Sequence, residues 1–219
     1  MNKGLTRELI CLRASQEARP GDYVNLGIGM PAEVANFISE DVILHTENGA
    51  LGFGGIAIDE SERDIDLVNA GGEPITMKPG IAFMDSMDAF DMIRGGRIDL
   101  TIMGAYQVSK RGDLAGIAVP EEPLPRPGGS MDLVIGAKRL IVVMEHIDRQ
   151  GNPKVVTQCT YPLSAKGVVS RIITSLAVID VSPQGLILVE LPPGVSVDEV
   201  QANTEPKLII SPALKEMKL

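Results

Sequence analysis

Short apolar runs separated by glycine-rich bends recur along the chain, and they predict alternating helices and buried strands. Apolar residues near the helical period predict helices over 5–18, 32–38 and 81–93. Continuous apolar or β-branched runs predict strands at 23–26, 42–44, 65–68, 98–103, 114–119 and 140–144. Because several of these strands run directly into glycine, we expect an α/β fold. It would be an open, largely parallel sheet flanked by helices, with ligands bound where the carboxyl ends of the strands meet.

The last third of the chain predicts a hairpin and a capped helix. The run 168–181 is rich in Val and Ile, and Ser182-Pro183-Gln184-Gly185 has the composition of a turn between two strands. Ser196, with Glu199 three positions later, is typical of a capped helix start. No internal repeat or linker interrupts the sequence, so we expect residues 1–219 to form a single domain.

Composition and charge exclude several classes of function. Hydrophobic residues make up 44% of the chain and charged residues 22%, as in an ordinary soluble globule. The net charge of −9 and the lack of a basic stripe argue against nucleic acid as a partner. No apolar stretch approaches the roughly 20 residues that cross a bilayer, and no apolar leader follows the first residues. We therefore expect a cytoplasmic protein with no membrane partner.

Thiols and imidazoles are too few to suggest a metal site. Cys11 and Cys159 lack the spacing of metal ligands, and we expect both to be reduced, buried thiols. His45 and His146 could hold zinc only if several carboxylates converged on them. We expect no bound metal, and we interpret both histidines as structural residues that hydrogen-bond at strand ends.

The candidate chemistry concentrates in the segment that follows the 42–44 strand. This segment reads Thr46-Glu47-Asn48-Gly49, and four glycines fall between positions 49 and 55. Glycine lets the backbone approach a ligand closely, which favours a Glu47 carboxylate that faces a pocket. The alternative is a glycine-rich turn with an incidental acidic residue, and these residues alone leave both interpretations open.

Two other glycine pairs are candidates for ligand contacts. Gly27 and Gly29 follow the 23–26 strand and would bring two amides toward a ligand. The third glycine of a dinucleotide-binding fingerprint is absent, and a turn needed only for packing is the alternative. Gly128 and Gly129 follow a proline-rich segment that we expect to be extended. Adjacent glycine amides can form an oxyanion hole, while a flexible loop end is the alternative.

Taken together, the motifs resemble the beta subunit of the 3-oxoacid CoA-transferases, in order over nearly the whole chain. The matching segments are 25–31, 46–49 with 51–52, 69–71, 92–96, 128–133, 143–146, 159–163 and 193–197. The resemblance implies a CoA-transferase (isomerase-like) fold and an alpha-subunit partner in a hetero-oligomer. It implies acyl-CoA and carboxylate substrates, with no cofactor beyond coenzyme A as part of the substrate.

The resemblance also assigns roles to residues. The family's Ser-Glu-Asn-Gly motif, whose glutamate is the nucleophile, maps onto positions 46–49, with Thr46 in place of serine and Glu47 as the nucleophile. Amides of Gly128 or Gly129 would stabilise the oxyanion. The candidates for lining the acyl and CoA site are Gly27, Gly29, Asn48 and Gly104.

The chain departs from the family at Pro125-Arg126-Pro127, where relatives usually carry a lysine and a longer glycine run. We expect this departure to affect acyl-group specificity and local CoA contacts, and to leave the nucleophile in place. The acids that are exchanged and the subunit stoichiometry do not follow from the sequence.

Two other functions remain open at this point. A sugar-phosphate isomerase on a related α/β fold would use Glu47 as a general base and bind phosphate on backbone amides. A non-catalytic subunit would only stabilise its partner. Aldose–ketose isomerisation without CoA exchange would favour the isomerase, and intact activity of a Glu47→Ala complex would favour the non-catalytic subunit.

Overall fold

The computed structural model describes residues 4–119 and 128–219. The α-helices in these ranges are α1 (Arg7–Ser15), α2 (Met30–Glu33), α3 (Ser86–Arg94), α4 (Ser130–Gly136) and α5 (Val197–Ala202). The first strands are β1 (Tyr23–Leu26), β2 (Ile43–Thr46), β3 (Ala50–Leu51), β4 (Ala82–Phe83), β5 (Leu100–Met103), β6 (Gln107–Ser109) and β7 (Leu114–Ala115). The later strands are β8 (Leu140–Met144), β9 (Val155–Val156), β10 (Val169–Thr174), β11 (Val178–Ser182), β12 (Gly185–Leu191) and β13 (Ile209–Glu216).

Ten of these strands form one sheet in the order β13-β12-β11-β10-β8-β5-β1-β2-β3-β4. The central strands β10, β8, β5, β1 and β2 run parallel to one another. Antiparallel strands extend the sheet on both sides, and β13 runs parallel to β12 at one edge. Strands β7, β6 and β9 form a separate small sheet. The large sheet is the open, mostly parallel sheet flanked by helices that the apolar pattern predicts.

The centre of the sheet is buried on both faces, as β8 illustrates. All five of its residues are buried, and successive side chains point to opposite faces. Leu140, Val142 and Met144 join an apolar cluster with residues of α3, α4 and α5. Ile141 and Val143 join a second cluster with residues of α1 and β1. The helices therefore cover two faces of one sheet.

The predicted hairpin and helix cap at the end of the chain are confirmed. Strands β11 and β12 pair antiparallel, with Ser182 opposite Gly185. The Ser196 hydroxyl accepts a hydrogen bond from the Glu199 amide at 3.2 Å, at the start of α5. This bond satisfies one of the amides that a helix start leaves without a partner.

The predicted helix over 81–93 is wrong in its first part. The chain stays extended through β4 because the Met84 amide bonds the Gly49 carbonyl at 2.9 Å and β4 pairs with β3. The helix starts only at Ser86, where the Asp85 carboxylate accepts from the Asp88 amide at 3.0 Å. Tertiary pairing overrides the helical spacing of the apolar residues here.

Further predicted elements differ from the structure: the 5–18 helix is shorter, at Arg7–Ser15, and the 98–103 strand begins only at Leu100. Residues 65–68 form no strand, because the segment folds back on itself through isolated bridges such as Val68 with Pro74, and Ile65 is 89% exposed. The predicted 114–119 strand is limited to β7, because the Gly116 amide turns to the Ser164 hydroxyl. The predicted 32–38 helix begins earlier, at Met30, and continues after α2 as a 3-10 turn over Val34–Phe37.

The proline-rich connection, with its Pro125-Arg126-Pro127 departure, lies outside the described residues. Within 4–119 and 128–219, no helix has both the length and the apolar character needed to cross a membrane.

Candidate active site

Three of the predicted site residues follow the carboxyl ends of three neighbouring parallel strands. Glu47 follows β2, Gly27 follows β1, and Gly104 follows β5. Strand β1 lies between β5 and β2 and is parallel to both, so these residues lie along the same edge of the sheet. This is the edge at which open α/β sheets bind their ligands.

Glu47 is half-buried at this edge and lies between a hydrogen-bond donor and a glycine. Asn25 on β1 donates from Nδ2 to Glu47 Oε2 at 3.3 Å. On the other side, a Cβ added to Gly129 would lie 2.8 Å from Glu47 Oε1. No lysine or arginine in the described ranges forms an ion pair with Glu47. Among the described contacts of its carboxylate are the hydrogen bond from the Asn25 side-chain amide and the close approach of Gly129.

Asn25 is in turn held by His45. Its Nδ2 lies 3.1 Å from His45 Nδ1, and His45 Nε2 lies 3.2 Å from the Ala89 carbonyl oxygen of α3. Since a carbonyl oxygen only accepts, Nε2 carries the ring proton and Nδ1 accepts from Asn25. Burial lowers the pKa of His45, although Ala89 and Glu47 oppose that shift. The hydrogen-bonding role predicted for His45 is confirmed.

The side chains on either side of Glu47 connect its turn to the loop at 68–70. The Thr46 hydroxyl donates to Asn48 Oδ1 at 2.8 Å and accepts from the Ala70 amide at 2.9 Å. Asn48 Nδ2 donates to the Val68 carbonyl at 2.8 Å. The side chain of Asn48, which is predicted to line the substrate site, therefore hydrogen-bonds to the backbone of the 68–70 loop.

Gly49 is required at its position. Its φ is +110°, and a Cβ there would lie 2.1 Å from the Met84 carbonyl oxygen. No side chain fits this close approach of two backbone segments. The turn that presents Glu47 therefore depends on glycine immediately after Asn48.

The structure separates the remaining predicted glycines into two groups. Gly129 contacts Glu47, with Gly128 next to it before α4. The Cβ position of Gly104 faces Pro31 in the first turn of α2, and Gly29 caps that helix. The Cβ position of Gly27 lies 3.3 Å from the Ile102 carbonyl oxygen and 3.7 Å from Pro31. The Gly27 amide already donates to the Ile102 carbonyl at 2.8 Å, so the expectation that it points to a ligand is wrong.

Neither cysteine is an activated nucleophile. Burial raises the pKa of both cysteine thiols to about 11, which keeps them protonated at neutral pH. Cys11 is buried as expected, whereas Cys159 is only partly buried. In the part of the chain that the structure describes, no three His, Cys, Asp or Glu side chains form a group that could hold a metal ion.

Comparison with known proteins identifies the family. Residues 8–203 match the family model described as Coenzyme A transferase. This chain belongs to the coenzyme A transferase family. The match covers β1, β2 and the whole Glu47 site, so the resemblance inferred from the motifs is confirmed.

Individual CoA-transferases resemble the chain along most of its length. The B subunit of succinyl-CoA:3-ketoacid coenzyme A transferase from Helicobacter pylori is 50% identical over 200 residues, which cover 91% of this chain and 96% of that subunit. The B subunit of 3-oxoadipate CoA-transferase from Acinetobacter baylyi is 43% identical over 209 residues, with coverage of 94% and 95%.

A solved structure supports the fold. The acyl-CoA transferase apoenzyme from Escherichia coli O157:H7 superimposes with a TM-score of 0.78 at 22% identity. The match covers 98% of this chain and 43% of that one, so this chain spans less than half of the longer enzyme. At this identity the comparison establishes the fold alone.

Sequence reasoning missed Asn25 as a site residue. An asparagine in the apolar run Tyr23–Leu26, one residue before the end of the strand, was the available signal. A fully buried amide needs a partner inside the protein, so its presence in a central strand indicates a polar neighbour.

Proposed function

We propose that this chain is the glutamate-bearing subunit of a transferase that moves coenzyme A from an acyl-CoA to a free carboxylic acid. The observation that carries the proposal is the Glu47 carboxylate. It lies at the ligand edge of the sheet, held at Oε2 by Asn25 and packed at Oε1 against Gly129. Membership of the Coenzyme A transferase family supports the reaction class.

In the proposed reaction Glu47 is a nucleophile. A carboxylate oxygen attacks the thioester carbonyl, the carbon–sulfur bond breaks, and the CoA thiolate leaves with the electron pair. The thiolate then attacks the glutamyl carbonyl of the mixed anhydride, which releases the donor acid and leaves a Glu47–CoA thioester. The acceptor carboxylate runs the same steps in reverse, so atoms and charge balance without a metal or redox cofactor.

A carboxylate is a weak nucleophile toward a thioester, so the protein must supply position and charge stabilisation. Asn25 supports the position of Glu47 by holding Oε2. Gly129 lies beside Glu47 at the start of α4 and Gly128 precedes it, and we assign oxyanion stabilisation to their amides. Gly27, Gly29 and Gly104 surround the first turn of α2 at the same edge and would line the acyl and CoA site together with the backbone of Asn48.

The proposed partner is an alpha subunit. The H. pylori and A. baylyi relatives are each named as one subunit, designated B, of their enzymes, and the E. coli chain is more than twice as long as the part that matches this chain. Both findings support a second polypeptide of comparable size. We propose a hetero-oligomer in which that subunit completes the substrate site, and a cytoplasmic location for the complex.

The proposed substrates are of the 3-oxoacid type. Relatives are named for 3-ketoacid and 3-oxoadipate transfer, which places short 3-oxoacyl-CoA thioesters and dicarboxylates first in a screen. The candidate acids all present a carboxyl group to Glu47 and differ in the rest of the acyl chain. Discrimination between them therefore depends on pocket contacts and not on Glu47.

The test uses the chain co-expressed with its alpha subunit. The complex is incubated with acetoacetyl-CoA or 3-oxoadipyl-CoA and treated with hydroxylamine, and the peptides are mapped by mass spectrometry. We expect a hydroxamate on Glu47 that depends on acyl-CoA, and no label or exchange in Glu47→Gln. Glu145→Gln is the matched control, because Glu145 is an exposed carboxylate that follows β8 at the same edge.

The outcomes separate the alternatives. An unlabelled Glu47 in a complex that exchanges CoA would reject the covalent mechanism. Full exchange activity in Glu47→Ala would assign this chain a purely structural role. Loss of exchange in Glu145→Gln as well would show that any charge removed from this edge is harmful, and the assignment would then rest on the Glu47 label alone.

A further inference from the structure

A row of polar side chains crosses the buried sheet next to Glu47. Thr101 on β5, Asn25 on β1 and His45 on β2 are register partners on adjacent parallel strands, and each is at most 1% exposed. The Asn25 amide nitrogen makes both of its hydrogen bonds within this region. Its Oδ1, like Thr101 Oγ1, has no hydrogen-bond partner among the described residues.

The hydrogen bonds of Nδ2 therefore determine the orientation of the Asn25 side-chain amide. If the amide turned over, Oδ1 would face His45 Nδ1 and the Glu47 carboxylate, which are both acceptors. The Ala89 carbonyl keeps the ring proton on Nε2 and leaves Nδ1 as an acceptor. Burial also favours the neutral ring, and Glu47 is the ionisable group whose charge acts on it.

We propose that His45 is a positioning residue for Glu47: its Nδ1 holds the Asn25 amide so that N–H, and not the carbonyl oxygen, faces the carboxylate. The held oxygen is Oε2, so Oε1, on the side of Gly129, is the oxygen that attacks. This inference rests on the proposed function, because it requires Glu47 to be the nucleophile.

Two substitutions of His45 separate its two hydrogen bonds. Asn places Oδ1 the same number of bonds from Cα as His Nδ1, so His45→Asn keeps an acceptor for Asn25 and loses the bond to Ala89. Gln places its amide nitrogen where His has Nε2, so His45→Gln keeps a donor for Ala89 and loses the acceptor. A merely structural histidine has no reason to tolerate one and not the other.

The measurement is the single-turnover rate of Glu47–CoA thioester formation at saturating acyl-CoA, in the co-expressed complex. We expect His45→Gln to lower this rate about 10- to 100-fold, the range for one hydrogen bond to a charged group. His45→Asn should stay within about threefold of wild type, and KM for acyl-CoA should change little in either variant, because His45 acts on the nucleophile.

A double-mutant cycle tests whether His45 acts through Asn25. In an Asn25→Ala background, His45→Gln should cause no further loss of rate, because the amide that it orients is gone. Additive losses would show that the two residues act independently and would overturn the proposal. Equal rates in His45→Gln and His45→Asn would overturn it as well.

The wild-type complex gives a check that needs no variant. Histidine-selective nitrogen-15 NMR should show a neutral His45 with its proton on Nε2 at pH 7, and a proton on Nδ1 would overturn the proposal. Failure of the proposed function is distinct, because Glu47 would then carry no label in wild type. If Glu47 is labelled in the wild type but both His45 variants form the thioester at the wild-type rate, this inference alone is rejected.

Discussion

At the residue scale, Gly129 gives the Glu47 carboxylate the space that it occupies. A Cβ added to Gly129 would approach Glu47 Oε1 to 2.8 Å and Cδ to 3.2 Å. The backbone of Gly129 has φ −76° and ψ −3°, which every residue adopts easily. Space, and not backbone freedom, is what this position requires.

Gly129→Ala should therefore separate activity from stability. We expect the rate of Glu47 acylation to fall by about 100-fold, since the carboxylate must move by a substantial part of an ångström. The melting temperature should fall only slightly, because these backbone angles suit alanine and replacing glycine by alanine at a helix N-cap costs about 1 kcal/mol or less. Normal acylation in a folded Gly129→Ala complex would show that Glu47 does not react from this position.

The buried His146 predicts an acid dependence of stability. Its Nδ1 lies 2.7 Å from Thr174 Oγ1 and its Nε2 lies 2.9 Å from Thr204 Oγ1. Burial lowers its pKa from 6.5 to about 4. The unfolded chain binds a proton near pH 6.5 and the folded chain does not, so the free energy of unfolding falls as the pH drops from 6.5 to 4.

The free energy of unfolding should fall by about 3 kcal/mol over this range, because each unit of the pKa shift corresponds to about 1.4 kcal/mol. Urea denaturation of the full chain at several pH values measures it. The difference between wild type and His146→Asn isolates His146 from the carboxylates and from His45. Parallel curves for the two proteins between pH 6.5 and 4 would contradict the prediction.

At the scale of elements, Thr46 and Asn48 hold the 68–70 segment against the Glu47 turn. Thr46 is 4% exposed, and its hydroxyl both donates to Asn48 and accepts from Ala70. A loop whose strand-type pairing is limited to isolated bridges is thereby tied to the turn of the candidate nucleophile. The hydroxyl is what Thr46 shares with the serine of the family motif.

Thr46→Val should make the 68–70 segment more mobile, because it removes the hydrogen bond from the Ala70 amide. Thr46→Ser should keep that hydrogen bond and leave the segment ordered. Valine has nearly the same shape but removes the partner of the partly buried Ala70 amide and of the exposed Asn48 Oδ1, which costs about 1 kcal/mol. Hydrogen exchange at the Ala70 amide should accelerate several-fold in Thr46→Val. Equal exchange in the two variants would show that the hydroxyl does not hold the loop.

At the scale of the whole molecule, a buried ion network joins the first helix to the last strands. Arg13 of α1 contacts Glu17 at 2.9 Å and Glu190 of β12 at 2.6 Å. Arg171 of β10 contacts Glu17 at 2.7 Å and Asp180 of β11 at 2.6 Å. Burial acts to lower the pKa of Arg171, but these carboxylates outweigh it and raise that pKa.

Glu17→Gln should destabilise the whole fold. The Glu17 side chain is 5% exposed, and its loss as an anion leaves the buried Arg13 and the partly buried Arg171 with less compensating charge. Removing one partner of a buried ion pair costs about 3–5 kcal/mol. The matched control is Glu33→Gln, whose pair with Arg7 is exposed and is worth about 0–1 kcal/mol. Similar denaturation midpoints for both variants would contradict this prediction.

The sequence determined those features that depend on neighbouring residues. Apolar runs predicted β1 and β8 with their observed bounds, because a strand buried on both faces is continuously apolar. Strands that run into glycine predicted the fold class and the ligand edge. The motif at positions 46–49 indicated Glu47, and the family match agrees with the resemblance on which that assignment rests.

Only the tertiary structure decided the contacts between distant segments. Asn25 meets Glu47 because β1 and β2 are adjacent and parallel, and Arg13 meets Glu190 across 177 positions of the chain. A local pattern gives no strand order or register, so it does not indicate which residues Asn25, Arg13 and Glu17 contact. Burial then forces each of them to find a partner, and the folded sheet supplies it.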